Sequence, residues 1–191
     1  MNRYKQLYYK LFTKFDHVHH GWTNLHFYYY DYSITVDFSA IMDSFPNFLQ
    51  WIKRVENLEI HKRAYVNIDQ EGYYKRLTCK KISETLLSFT IQSDNRFSFK
   101  IEGIDSRYFI CQLLKTLHNY TVQFPNEPWT GIKLDKLIYT ECGSLIEKYK
   151  TTCNACLKQC EQFQNSVCLC DTWAKLSVWR AALPLWQNNR A

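Results

Sequence analysis

At 191 residues the chain is the size of one domain, or of one domain with an appendage, and its 46% apolar and 22% charged residues exclude a disordered polymer. The five glycines, Gly21, Gly72, Gly103, Gly131 and Gly143, stand too far apart to cradle a phosphate, which excludes the P-loop and the G-x-G-x-x-G dinucleotide fingerprint. No run approaches the ~18 apolar residues of a membrane span, and lysines interrupt the first dozen residues, so neither a span nor a secretory leader is expected. A cytoplasmic setting follows as an expectation, with the eight cysteines mostly reduced.

In chain order, Tyr4, Leu7, Tyr8, Leu11, Phe12 and Phe15 recur at helical spacing. The spacing predicts an amphipathic helix over 3–15, although the same aromatics also suit a strand feeding the next hairpin. Residues 23–38 alternate instead, with Leu25, Phe27 and Tyr29 and then Ile34, Val36 and Phe38, which predicts two strands around a turn near Asp31. Asp43-Ser44 before Pro46 reads as a capped helix start, and Phe48, Leu49, Trp51, Ile52 and Val55 form the buried face of a helix ending near Glu56. Strands follow over 63–68, 73–79, 85–92 and 96–102, joined by turn-like Asp69-Gln70-Glu71-Gly72 and Ser93-Asp94-Asn95. Asp105 or Ser106 caps a helix carrying Phe109, Ile110, Leu113, Leu114 and Leu117. Beyond the joint at Phe124-Pro125-Asn126-Glu127-Pro128 the pattern is helical: one helix through Leu134–Tyr149, another near 152–164, a third near 171–183.

The expected class is α+β, an antiparallel β-meander packed with helices and followed by a helical, cysteine-rich C-terminal part. The mixed body spans 1–123, and 124–191 packs on the same domain. With aromatics at 17% of residues, much of the core is expected to be ring.

Six cysteines crowd the C-terminal part, Cys142 and then five in the order Cys-x2-Cys-x3-Cys-x7-Cys-x-Cys from Cys153 to Cys170. Cys153, Cys156, Cys168 and Cys170 supply the four soft ligands of one structural zinc. Cys153, Cys156, Leu157, Cys160 and Phe163 equally fit a buried helical stripe, and a disulfide or redox role is the third reading. His17, His19 and His20 precede Gly21-Trp22 and read as a polar turn or, on a strand, as paired metal ligands. No G-x-S-x-G elbow or H-E-x-x-H helix occurs, and Cys111 sits in an apolar helix, so no catalytic motif is found.

Two functional classes fit. The first is a non-enzymatic interaction protein of inhibitor, immunity or adaptor type, which occludes a partner protein with Tyr28, Tyr30 and Tyr32 on one face or with Tyr73 and Tyr74. The second is a nucleic-acid-binding module that uses the paired bases Lys62-Arg63, Lys75-Arg76 and Lys80-Lys81 with the tyrosines between them. Adjacent residues of a strand point to opposite faces, so each pair should split and contribute one member to a common patch.

Overall fold

A computed structural model of the chain describes residues 11–93 and 98–160, with 98 and 150–160 described by their backbone alone. Strands β1 (Leu11–Phe15), β2 (Trp22–Tyr29) and β3 (Tyr32–Ser39) form one antiparallel sheet in that order. Helix α1 (Ser44–Glu56) follows, then β4 (Arg63–Asp69), β5 (Tyr74–Lys81), β6 (Leu86–Ser93) and β7 (Ser98–Asp105), which pair as an antiparallel meander. Helix α2 (Ser106–Gln123), a short hairpin β8–β9 (Pro128–Trp129 and Ile132–Lys133) and helix α3 (Leu134–Cys160) complete the described chain. The class is α+β, antiparallel sheets packed with helices.

The alternation seen in the sequence becomes the two faces of each sheet. In β2 and β3, Leu25, Phe27, Ile34, Val36 and Phe38 point inward, and the register Leu25↔Val36 and Phe27↔Ile34 places them side by side. In the meander, Val66, Leu77, Phe89 and Ile101 and their neighbours do the same. The helices pack on these inner faces. α1 buries Phe45, Phe48, Leu49, Trp51, Ile52 and Val55, and α2 is buried nearly all round between Tyr108 and Leu117. The core is built largely of rings: Phe38 stands 5.1 Å from both Phe45 and Phe48, and Phe89 stands 4.8 Å from Phe109 and 5.1 Å from Phe27.

Three expectations need correction. Leu11–Phe15 is a strand, not the end of a helix. Its Leu11, Thr13 and Phe15 alternate inward, and pairing with β2 over Leu11↔Tyr29 to Phe15↔Leu25 satisfies the backbone of a segment whose aromatic and β-branched residues suit a pleated surface. The buried Thr13 hydroxyl meets that of Thr116 on α2 at 2.6 Å, so even its polar side chain is satisfied by tertiary contact. The rest of the segment expected as a helix, residues 3–10, lies outside the described residues.

Asp43 does not cap α1. It lies in the left-handed region at φ 46 with no side-chain cap bond, and its carboxylate accepts instead from Trp129 Nε1 at 3.1 Å. Asp105, by contrast, caps α2 as expected, accepting from the Tyr108 amide.

The third correction concerns the helix expected to end near Tyr149, which runs on to Cys160. No Pro or Gly interrupts residues 150–160, and Gly143 sits within the helix without breaking it. The loop before it is not plain coil, because Pro128–Lys133 folds back as a hairpin and buries Trp129 against Phe45.

The chain divides into two compact units, 1–146 and 147–191. Cys79 and Cys142 are buried thiols in the first. Burial pushes both up: Cys79 well above its ordinary value, and Cys142 to about 12, where nearby Lys53 lowers it and Glu141 raises it. Cys142 donates to the Leu49 carbonyl at 3.7 Å, which suits a packed hydrophobe rather than a nucleophile. Among the described residues no helix is long and apolar enough to cross a membrane.

Candidate binding groove

The outer face of the β1–β3 sheet is polar, and a second element is docked onto it. Glu71-Gly72 turns the β4–β5 hairpin with both residues at positive φ (58° and 107°), the geometry that matches the twist of flanking strands. The hairpin tip then reaches across β3. Gln70 Nε2 donates to the Asp37 carbonyl at 3.0 Å and to its carboxylate at 2.9 Å. Lys75 Nζ donates to the Thr35 carbonyl at 2.7 Å and lies 3.3 Å from the same carboxylate. Ser39 donates to Glu71 at 2.5 Å, and the Asp69 amide donates to Ser44 at 3.1 Å.

Opposite this tip, the β1–β2 connection makes its own tight turn. His19 and Trp22 exchange backbone hydrogen bonds at 2.8 and 3.0 Å. His20 and Gly21 between them have φ of 49° and 79°, so glycine is needed at the second position, where a side chain is strained. The turn is held to the sheet by Asp16. Its backbone carbonyl accepts from Thr23 at 2.7 Å, and its carboxylate takes His26 Nε2 at 2.7 Å and Lys14 Nζ at 3.1 Å. A carboxylate only accepts, so His26 carries a proton on Nε2; its Nδ1 meets Thr35 Oγ1 at 2.9 Å. Thr35, His26 and Lys14 are cross-strand neighbours, and this chain of bonds ties three strands together.

Burial pushes the Asp16 carboxyl up, but the hydrogen bonds and charges of His26 and Lys14 outweigh it and leave the group below its ordinary value. A carboxyl whose pKa is lower folded than unfolded adds stability that is complete above the unfolded value of about 4 and is lost as pH falls through the folded value. Asp16→Asn should therefore destabilise the protein at pH 7 by no more than about 1 kcal/mol, the pair being partly exposed, and should cost little near pH 2.5. Denaturant titrations at the two pH values check this. An equal loss at both would assign the effect to packing rather than charge.

Between the two turns lies an open groove of about 1050 Å³. Asn24 and Asp37, directly opposite one another in the β2–β3 register, lie along it with Ser93. His17, His19, His20 and Trp22 line one side, and Gln70, Tyr73 and Lys75 the other. The His19 and His20 rings are 4.1 Å apart. Among the described residues no three His, Cys, Asp or Glu side chains converge as a metal would need. Beside the groove, Ile41 is 82% exposed on the loop that bonds back to Gly21 and Ser39. A smaller cavity of about 540 Å³, lined by Asn67, Tyr74, Arg76, Gln92 and Ser93, shares Ser93 with the groove.

The residues expected from sequence fall in several places. Tyr73, 63% exposed, lines the groove, while Tyr74 faces the other side of the hairpin and lines the smaller cavity. Tyr28, Tyr30 and Tyr32 do not share a face. Tyr32 lies opposite Tyr29 in the register, Tyr28 opposite Ser33, and Tyr30 occupies the turn at φ 56. The two-residue turn reverses the parity that an unbroken count would give.

The basic pairs split as strand geometry requires. Arg63, Arg76 and Lys80 lie on the outer face of the meander, whereas Lys75 and Lys81 turn inward, Lys81 donating to Ser106 at 2.9 Å. Lys62 lies in the turn before β4, its amide bonded to Glu59. Lys75 and Lys81 therefore leave the expected basic surface. Cys153 and Cys156 lie on α3, where only backbone is described, and Cys168 and Cys170 lie outside the described residues, as does the helix expected near 171–183.

Sequence reasoning did not single out Trp22 or Ile41. Nothing in local spacing marks them, because the groove is assembled from residues 16–24, 37, 70–75 and 93. Compared with known protein families, curated proteins and solved structures, the chain matches none of them.

Proposed function

We propose that this chain is a non-enzymatic interaction protein that binds a partner protein and occludes its surface through the groove and its rim. One observation carries the reading: exposed Tyr73 and half-buried Trp22 face an open groove whose two carboxylates are already held by neighbouring side chains. Asp37 is held by Gln70 and Lys75, and Asp16 by His26 and Lys14. Such groups give rigid shape rather than a reacting centre. Aromatic anchors on a rigid, polar-rimmed surface are the usual source of interface energy, and Ile41 extends the apolar area beside them.

The test pairs two baits. Tagged wild-type protein should retain one stoichiometric protein from host lysate after nuclease treatment, and a Trp22→Ala/Tyr73→Ala double variant should lose it by tenfold or more at an unchanged melting temperature. Retention of the same proteins by both baits sinks the groove as the binding surface.

A further inference from the structure

On a different surface from the groove, we propose that the outer face of the β4–β7 meander binds single-stranded nucleic acid, with phosphates on Arg63, Arg76, Lys80 and Lys100 and a base stacked on Tyr65. Among the described residues α1 and α2 pack on the inner face of this sheet, and Arg63, Tyr65, Asn67, Arg76 and Lys100 on the outer face are exposed. The register brings those side chains together. Arg63 lies opposite Lys80, Tyr65 opposite Thr78, and Asn67 opposite Arg76. Thr78 continues to Thr90, and Thr90 to Lys100. The four cations thus lie on three of the four strands, β4, β5 and β7, with the hydroxyl groups of Thr78 and Thr90 between them.

Tyr65 is 56% exposed, and one cation lies over its ring. The Arg76 guanidinium lies 5.3 Å from its ring centroid, and Arg76 is itself steered by Nε donating to Asn67 at 2.8 Å. A ring with a guanidinium against it offers a base a stacking surface and its phosphate a charge in one place. Two acids lie on this face. Asp69 is at the end of β4 by the turn, its carboxylate near the Gly72 amide at 3.4 Å. Glu102 on β7 pairs with Lys100 at 2.5 Å, an exposed ion pair of small net worth that a phosphate on Lys100 has to replace. The cavity between Tyr74, Arg76 and Gln92 continues the face toward its open end and adds room beside a second ring.

The occupant is argued from this combination. An acidic protein surface would satisfy the cations but has no use for a stacking ring between them. Duplex nucleic acid presents phosphates but keeps its bases stacked within. A single strand uses both.

The experiment is fluorescence anisotropy with a labelled twelve-nucleotide oligo-dT and its oligo-U counterpart, titrated with the full chain at 50 and 200 mM salt. Four phosphate contacts to a single strand predict that affinity falls about fiftyfold between the two salts. Tyr65→Ala should weaken binding by roughly tenfold with the salt dependence unchanged, and Tyr65→Phe should restore it. Arg76→Ala with Lys80→Ala should weaken binding and also flatten the salt dependence, while Lys14→Ala, which removes a charge from the other sheet, should do neither. Absence of binding to either oligonucleotide at 50 mM salt overturns the proposal. So does binding that is indifferent to Tyr65→Ala, or that poly-glutamate or a duplex of equal length displaces as well as the single strand does, because either result describes a general polyanion surface.

Discussion

Trp51→Ala is expected to cost about 4 kcal/mol of unfolding free energy, the middle of what truncating a buried aromatic removes. The indole is fully buried, with Phe48 stacked at 5.8 Å and Phe89 and Phe109 each 6.3 Å away. Truncation leaves a hole among rings that cannot collapse into it. Trp51 has a second role as a donor, its Nε1 reaching the Ala64 carbonyl at 3.1 Å. β4 pairs with β5 on one side only. On the other side Arg54 of α1 donates to the Tyr65 carbonyl at 3.2 Å. α1 thereby covers an edge that would otherwise be open to another strand.

Trp51→Phe separates the two roles. It keeps most of the ring and loses the donor, so a cost of roughly 1–2 kcal/mol is expected from the lost hydrogen bond and the ring volume removed. Urea unfolding of the three proteins gives both numbers. A domain of this size has about 5–15 kcal/mol to lose, so the alanine variant should remain folded at 25 °C with a melting temperature lowered by roughly 10 °C. A loss below about 1 kcal/mol would mean that the cluster repacks and that α1 does not depend on this ring.

Trp129→Ala is expected to cost about 3 kcal/mol by the same mechanism, but the consequence should be local. The indole is 1% exposed, packs 5.6 Å from Phe45, and donates to Asp43 at the start of α1. It is the one side chain by which the β8–β9 hairpin enters the core, since Pro128, Thr130, Ile132 and Lys133 are exposed. Hydrogen exchange should therefore show residues 124–134 and the first turn of α1 losing protection, while the strands of the meander keep theirs. Asp43→Ala removes only a partly exposed hydrogen bond and should cost less than about 1 kcal/mol. Uniform loss of protection across the unit would mean instead that the hairpin is an integral part of the folding core.

The strands of 23–38 and of the meander, and the buried helices α1 and α2, were legible in the chain itself. Alternation over 23–38 and through the meander follows from the two faces of a strand, and the stripe Phe48, Leu49, Trp51, Ile52 and Val55 from the helical period; both are local geometry, readable without neighbours. The sequence also determined that each basic pair would split, because that too depends only on the pleat. Which member faces out was not readable. Inwardness is set by what packs behind the strand, and at Lys75 and Lys81 the inward member is a lysine held by Thr35 and Asp37 or by Ser106. The strand at Leu11–Phe15 was misjudged because its aromatics fit both periods, and pairing with β2 decided between them. Asp43 failed as a cap because Trp129, 86 residues away, takes its carboxylate. The groove was hidden for the same reason. His17, Trp22, Asp37, Gln70 and Tyr73 come from separate turns and strands that meet only when the β4–β5 tip docks across β3, and no spacing along the chain encodes a contact formed by folding.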